Sequence, residues 1–217
     1  MTQALYNRID AIESFAADVS HEIKNPLTSL GSAIDAFEKV SDKKKEQQLI
    51  NIMKQDIKRM DKLITDISNA SRLDAELSRS KMRPINIIKL LETIVIVYET
   101  KGWSNKISIE SKYKNLWIMG IEDSIGQIIK NLVDNAISFS PKLKPVRLKA
   151  WKEKDSILLA CADEGPGFKY NDINKIFDRF YTKRDSKESF GEHSGLGLYI
   201  SRKIAKVHGA EIIANNM

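Results

Sequence analysis

Three constellations in this 217-residue chain combine residue types and spacings suited to chemistry. The first is Ser20-His21-Glu22-Ile23-Lys24-Asn25-Pro26-Leu27-Thr28. An imidazole offers a neutral nitrogen nucleophile near neutral pH, and an adjacent carboxylate can orient the other ring nitrogen and stabilise charge that develops on it. Asn25 follows His21 by four residues, one helical turn along and on the same face. Its amide could both donate to and accept from a water without titrating. The second constellation sets Gln127, Asn131 and Asn135 at i, i+4 and i+8, so three amides line one helix face. Neutral amide oxygens suit Mg²⁺ that still carries water and phosphate oxygens. The third is a pair of glycine-bearing turns. Asp163-Glu164-Gly165-Pro166-Gly167 combines a carboxylate acceptor with glycines that let the backbone approach a flat ligand closely. Gly195-Leu196-Gly197-Leu198 opens a helix whose free N–H groups and dipole favour phosphate.

Long amphipathic patterns position the first constellation. Apolar residues recur at Ile9, Ile12, Ala16, Val19, Ile23, Leu27, Leu30, Ile34 and Phe37, in alternating steps of three and four. That spacing predicts a helix from Leu5 to Val40 with one continuous stripe, roughly 50 Å long. His21 lies two residues from both Val19 and Ile23, about 200° around the axis from each, so it points away from the seam. Pro26 removes one backbone donor and is expected to bend the helix just after His21. A second helix is predicted from Glu46 to Leu77, with Met53, Ile57, Met60, Ile64 and Ile67 as its stripe. Two such helices leave an apolar face that a hairpin alone cannot cover. Pairing with a second copy into a four-helix bundle is the economical solution.

From Arg83 the periodicity changes. Pro84 breaks the helical pattern, and Asn86 is placed to cap a helix running to Glu99. Strand-like runs follow at Ile107–Tyr113 and Leu116–Met119, then a helix Glu122–Phe139 and strands Val146–Lys152 and Ser156–Ala162. A poorly patterned segment, 169–194, precedes a helix Gly195–Val207 and a strand Ala210–Ala214. Mixed strands and helices of this kind suggest a two-layer α/β sandwich.

Composition narrows the function classes. Hydrophobic residues at 42% and charged residues at 29% describe an ordinary globular protein with a real core. The net charge of +6 comes from lysines scattered through the chain, as in Lys43-Lys44-Lys45, which argues against nucleic-acid binding. The single cysteine, Cys161, rules out an internal disulfide and reads as a small core residue among apolar neighbours. Met1–Asp18 lacks the apolar core of a secretory signal, and the most apolar run, Ile85–Tyr98, is too short and charged to span a membrane.

Taken alone, each constellation is a weak signal. Together, in order, they resemble the boxes of sensor histidine kinases. The His21 segment resembles the H-box, and Asn131-Leu132-Val133-Asp134-Asn135-Ala136 the N-box of the GHKL ATPases. Asp163 to Gly167 resembles the G1 box and Gly195 to Gly197 the G2 box. Between them, Ile176-Phe177-Asp178-Arg179-Phe180-Tyr181 resembles the F-box that pins the base of a lid. The phrases Phe15-Ala16-Ala17-Asp18-Val19-Ser20-His21-Glu22 and Ile137-Ser138-Phe139-Ser140-Pro141 look most like the ChvG/ExoS type of envelope sensor kinase.

The resemblance implies a dimerisation and phosphotransfer domain over residues 1–80 and a GHKL-type ATP-binding domain over 81–217. It implies ATP and Mg²⁺ as cofactors, a homodimer, and a response regulator as partner. In such a kinase His21 attacks the γ-phosphate, Glu22 orients it, and Asn25 positions a water for regulator dephosphorylation. Gln127, Asn131, Asn135, Phe139, Asp163, Gly165, Gly167, Gly195, Leu196 and Gly197 line the nucleotide, with Asn131 and Asn135 on the metal. Two departures stand out. Ser138 stands where many members carry a lysine or arginine, leaving Lys130 as the substitute. Thr182 replaces a common arginine, leaving Arg184 first and Arg179 second for the γ-phosphate. The chain is also expected to be a fragment, lacking lead-in helices before Met1 and the family's last strand. As such it would be cytoplasmic, with membrane attachment through segments it does not contain. Two rivals belong to other classes: an inactive dimerisation module that binds a regulator, and an ATPase of the chaperone or mismatch-repair sort.

Overall fold

The computed structural model describes residues 2–103, 107–141, 144–168, 173–181 and 194–216. The chain divides into two compact units, one of Met1–Ser71 with Arg179–Leu196, the other of Arg72–Asp178 with Gly197–Met217. None of the described helices is long and apolar enough to cross a membrane.

The first unit is built on a helical hairpin. Helix α1 spans Thr2–Phe37 and α2 spans Lys43–Arg79. Between them Asp42 starts α2, its carboxylate accepting from the Lys44 amide at 2.8 Å. Helix α1 continues unbroken through Pro26, which is buried. The buried hairpin residues are not those of the predicted stripes. Pro26 and Ala33 on α1 and Leu63 on α2 are buried, whereas the stripe residues Ile12 (60% exposed), Leu27, Ile34, Ile57 and Ile64 (55%) remain open. Arg179–Leu196 belongs to this unit: the Phe180 ring stacks on Phe15 at 6.3 Å, and Ser194 donates to Asp66.

In the second unit, β1 (Arg83–Asn86) leads into α3 (Ile87–Tyr98), followed by β2 (Ile107–Glu110) and β3 (Trp117–Gly120). Helix α4 (Glu122–Phe139), β4 (Val146–Glu153), β5 (Ser156–Ala162) and α5 (Gly197–Val207) complete it. Asn86 caps α3 as its sequence position predicts, accepting from the Ile88 amide at 3.1 Å. Strand β4 is central to one sheet, parallel to β2 and antiparallel to β5. Its alternation turns Val146, Leu148 and Ala150 inward, against Leu91 and Ile94 of α3 and Ile129 and Val133 of α4. Helices on one side of a sheet give the expected two layers.

Two elements differ from the sequence reading. Pro84 does not merely break a helix: it sits in β1, which pairs antiparallel with β3 in a separate two-stranded ribbon. A proline is tolerated there because an edge strand leaves its N–H side unpaired. Conversely, Ala210–Ala214 is not a strand: among the described residues, none pairs with it in a sheet. The chain end is held instead by the Asn216 amide, which accepts from the Phe168 N–H at 2.8 Å and donates to the Phe168 carbonyl at 2.6 Å.

Candidate functional site

On the hairpin, His21 and Asn25 are both exposed and share the outward face of α1. The Ser20 and Thr28 hydroxyls beside them are turned back onto the Ala16 and Lys24 carbonyls, at 2.8 and 2.9 Å. Glu22 is placed differently. It turns inward, where Arg59 of α2 donates through Nη2 to its Oε2 at 3.2 Å. The structure thus brings His21 and Asn25 together on one face and pairs Glu22 across the hairpin.

In the second unit the amide face forms as the spacing requires, with Gln127, Asn131 and Asn135 half-buried along α4. Both ends of that helix are fixed from outside. His208 accepts from the Ile121 amide through Nε2 at 3.0 Å, with Nδ1 on the Ile204 carbonyl at 2.8 Å, so an imidazole protonated on Nδ1 satisfies both. Tyr98 donates to Asp134 at 2.6 Å inside the N-box sequence. Burial, reinforced by the Asp134 carboxylate, holds that phenol protonated far above its usual range. Asn131 spends its amide nitrogen on α5, donating to the Gly197 carbonyl at 2.9 Å and to Ser201 Oγ at 3.1 Å.

The Asp163–Gly167 turn packs on the C-terminal end of α4. Asp163 Oδ1 accepts from the Gly165 amide at 2.7 Å, and a Cβ on Gly165 would lie 2.9 Å from the Phe139 carbonyl oxygen. Glycine at 165 is therefore what allows the approach. Gly167 takes φ +71, and a Cβ there would meet Asn216 at 2.7 Å. Glu164 anchors the turn to the sheet through Lys144 at 2.9 Å and Arg147 at 3.2 Å, which hold its carboxyl below the usual range. Just before the turn, burial pushes the Cys161 thiol up to about 12, with Asp163 adding to the effect. A thiol so raised is a poor nucleophile, in keeping with its reading as a core residue.

The second glycine turn divides between the units. Helix α5 begins at Gly197, two residues later than the sequence predicts, because Gly195 takes φ +72, outside the right-handed helical region. Gly195 and Leu196 belong to the hairpin's unit. There a Cβ on Gly195 would lie 2.7 Å from the Phe180 backbone, and the Phe180 N–H donates to the Gly195 carbonyl at 3.0 Å. The Leu196 N–H is already taken by Ser194 Oγ at 3.2 Å. The Leu196 N–H of the predicted phosphate turn is thus committed within the chain. The F-box divides likewise. Phe177 is buried in the second unit with the Arg202 guanidinium over its ring at 5.3 Å, while Phe180, at φ +58, packs on Phe15 in the first. Thr182, Arg184 and His193 lie outside the described residues.

Among the described residues no three His, Cys, Asp or Glu side chains converge as a metal cluster. A cation at α4 would rest on the amide oxygens of Asn131 and Asn135 and on its ligand's phosphates, which is the donor set Mg²⁺ accepts. Sequence reasoning missed Arg59, Tyr98 and the two partners of His208. For Arg59 a signal existed: it stands four residues before Leu63, one turn along the same face of α2.

Comparison with known proteins agrees with this geometry. Residues 11–76 match the His Kinase A (phospho-acceptor) domain, and residues 120–216 match the histidine kinase-, DNA gyrase B- and HSP90-like ATPase family. A hairpin presenting an exposed histidine, followed by a mixed α/β unit with an amide-lined helix, is the architecture of a sensor histidine kinase core, and the chain belongs to that family. It is 45% identical to the sensor protein ChvG of Agrobacterium fabrum, an alignment that covers 100% of this chain and 38% of that protein. It is 42% identical to ChvG of Rhizobium meliloti, covering 100% and 39%. The chain thus spans little more than a third of the length of these relatives. Among solved structures, the histidine kinase ThkA in complex with the response regulator protein TrrA shares 23% identity with a TM-score of 0.73, covering 98% of this chain and 60% of that one. At that identity the likeness is one of fold.

Proposed function

We propose that this core transfers the γ-phosphoryl group of ATP to His21 and then to an aspartate of a response regulator. The observation that carries the proposal is the exposed His21 on a HisKA hairpin in the same chain as the Asn131–Gly197 seam of an ATPase fold. Phosphoryl transfer needs little covalent help; positioning and neutralisation of phosphate charge dominate. Asn131 and Asn135 would hold Mg²⁺, whose charge offsets that of the phosphates. Asp163 keeps an oxygen free to accept from the adenine amino group, because its other oxygen is committed to Gly165. Gln127 and Phe139 extend the same helix face, and the α5 amides from Gly197 face phosphate. Arg184 is assigned to the γ-phosphate.

The active form is a homodimer in this reading, supported by the open apolar residues of both hairpin helices. The response regulator docks on the hairpin, and Asn25 positions the water that removes phosphate from the regulator. Since ATP and a regulator aspartate are both cytoplasmic reactants, the core works on that side of the membrane. Incubation with γ-labelled ATP and Mg²⁺ tests the proposal. Acid-labile, base-stable label on His21 is expected. Released phosphate without protein label would mean an ATPase, and neither product would mean a dimerisation module.

A further inference from the structure

The hairpin's inner face holds an ionic group that the proposed reaction has not yet used. Glu22 and Arg59 have side chains only 20% and 16% exposed, and Asp56 is 8% exposed. Arg59 Nη2 donates to Glu22 Oε2, yet two polar atoms at the same level are buried with no hydrogen-bond partner: Arg59 Nε and Asp56 Oδ2. A buried polar atom without a partner is destabilising, the more so when it is charged. Asp56 and Arg59 are three residues apart on α2, a spacing at which an aspartate and an arginine meet. A guanidinium carries five N–H donors in a rigid fork, enough to serve either acid. Pro26 adds to the strain on this turn, since it offers no N–H to the Glu22 carbonyl one turn before it.

We infer that Arg59 is a positioning residue for phosphoryl transfer to His21, holding Glu22 on the inner face and releasing it by exchanging onto Asp56. The inference rests on the proposed role of His21 as acceptor. With Arg59 on Glu22, the carboxylate is held across the hairpin, away from His21. With Arg59 on Asp56, both presently unpartnered atoms are satisfied and Glu22 is free to reach the His21 ring. In the step that follows, the Nε2 lone pair forms the N–P bond and the bond from the γ-phosphorus to its bridging oxygen breaks. ADP leaves with that electron pair, and Glu22 accepts the Nδ1 proton. Along α1 the titratable residues within four positions of Glu22 are Asp18, His21 and Lys24, and on α2 Asp56, Lys58 and Lys62 lie within a turn of its partner Arg59.

Autophosphorylation rates of the parent, Arg59→Gln, Arg59→Lys, Asp56→Asn and the Arg59→Gln/Asp56→Asn double variant, measured from pH 5 to 9 with ATP varied, test the inference. Removing the positive charge beside the proposed proton acceptor should move the acidic limb of the Arg59→Gln rate profile to higher pH. Arg59→Lys should restore most of that limb. Asp56→Asn should lower kcat by about tenfold while KM for ATP stays unchanged, because a neutral amide oxygen draws the guanidinium from Glu22 less strongly than a carboxylate. The double variant should be no slower than Arg59→Gln alone, since exchange is then already abolished. A purely structural role would make the two changes additive and leave the acidic limb in place, and either result overturns the inference. Thermal melting of each variant separates misfolding from loss of positioning, since the limb position does not depend on the fraction folded. A parent without label on His21 would overturn the phosphotransfer reading itself, whereas a labelled parent with an unmoved Arg59→Gln profile would overturn the role of Arg59 alone.

Discussion

The two units solve the burial problem in opposite ways. The α/β unit closes its own core: Ile129, Val133, Val146 and Leu91 are each 3% exposed or less. The hairpin does not, leaving Ile12, Leu27, Ile34, Ile57 and Ile64 open to solvent. Yet its inner face contains a buried acid and an arginine, where an apolar pair would stabilise more. A core that closes on itself suits a site that must hold a ligand in fixed geometry. An open face with a polar interior suits an element that pairs with copies and partners and changes contacts as it works.

The sharpest way to separate the units is to remove one and keep the other. His21→Gln is expected to abolish acid-labile phosphoprotein while ATP binding, followed by calorimetry, persists at parental affinity. Retained label on another histidine would break the division of labour. The converse change, Asn135→Ala, should lower affinity for Mg·ATP by an order of magnitude or more and leave the dimer intact, because it deletes a metal ligand. Asp163→Ala should weaken ATP binding equally with and without Mg²⁺. Unchanged affinity in both would place the nucleotide elsewhere.

Stability should distinguish the units next. Ile129→Ala, at a site 3% exposed, should cost about 2–5 kcal/mol in denaturant unfolding of the α/β unit. Ile64→Ala, at 55% exposure, should cost little in a dilute sample. Its effect should appear instead as a shift of the light-scattering mass from about twice the monomer toward the monomer at micromolar concentration. Equal costs at any concentration would mean that the hairpin face is not an interface. Asn25→Ala should preserve autophosphorylation but slow dephosphorylation of a phosphorylated cognate regulator by about tenfold, provided the amide positions the attacking water. Parental rates would leave Asn25 as the residue that precedes Pro26.

The smallest effect concerns Cys161. Its folded thiol titrates near 12 against 9.0 for an unhindered one, so the neutral thiol is the form the fold favours. That stabilisation is fully present below pH 9.0 and is lost as pH rises toward the folded value. Alkylation at pH 8 should therefore be slow in the folded protein and fast in denaturant. Rapid labelling of the native state would show the strand before the Asp163 turn to be open.

The sequence by itself determined the elements and the chemistry they carry. Periodicity alone gave helix α4 its observed bounds, Glu122–Phe139, and set its three amides on one face, because an α-helix repeats every 3.6 residues whatever surrounds it. The exposure of His21 followed from its angle to the stripe in the same way. Local sequence could not decide contacts between residues far apart in the chain. Strand β1 exists because β3 pairs with it, and among the described residues no strand pairs with Ala210–Ala214. Glu22 was read as the partner of its neighbour His21. The tertiary structure paired it with Arg59, 37 residues away, because adjacent helix positions point about 100° apart and the packed hairpin puts an arginine where the histidine cannot reach.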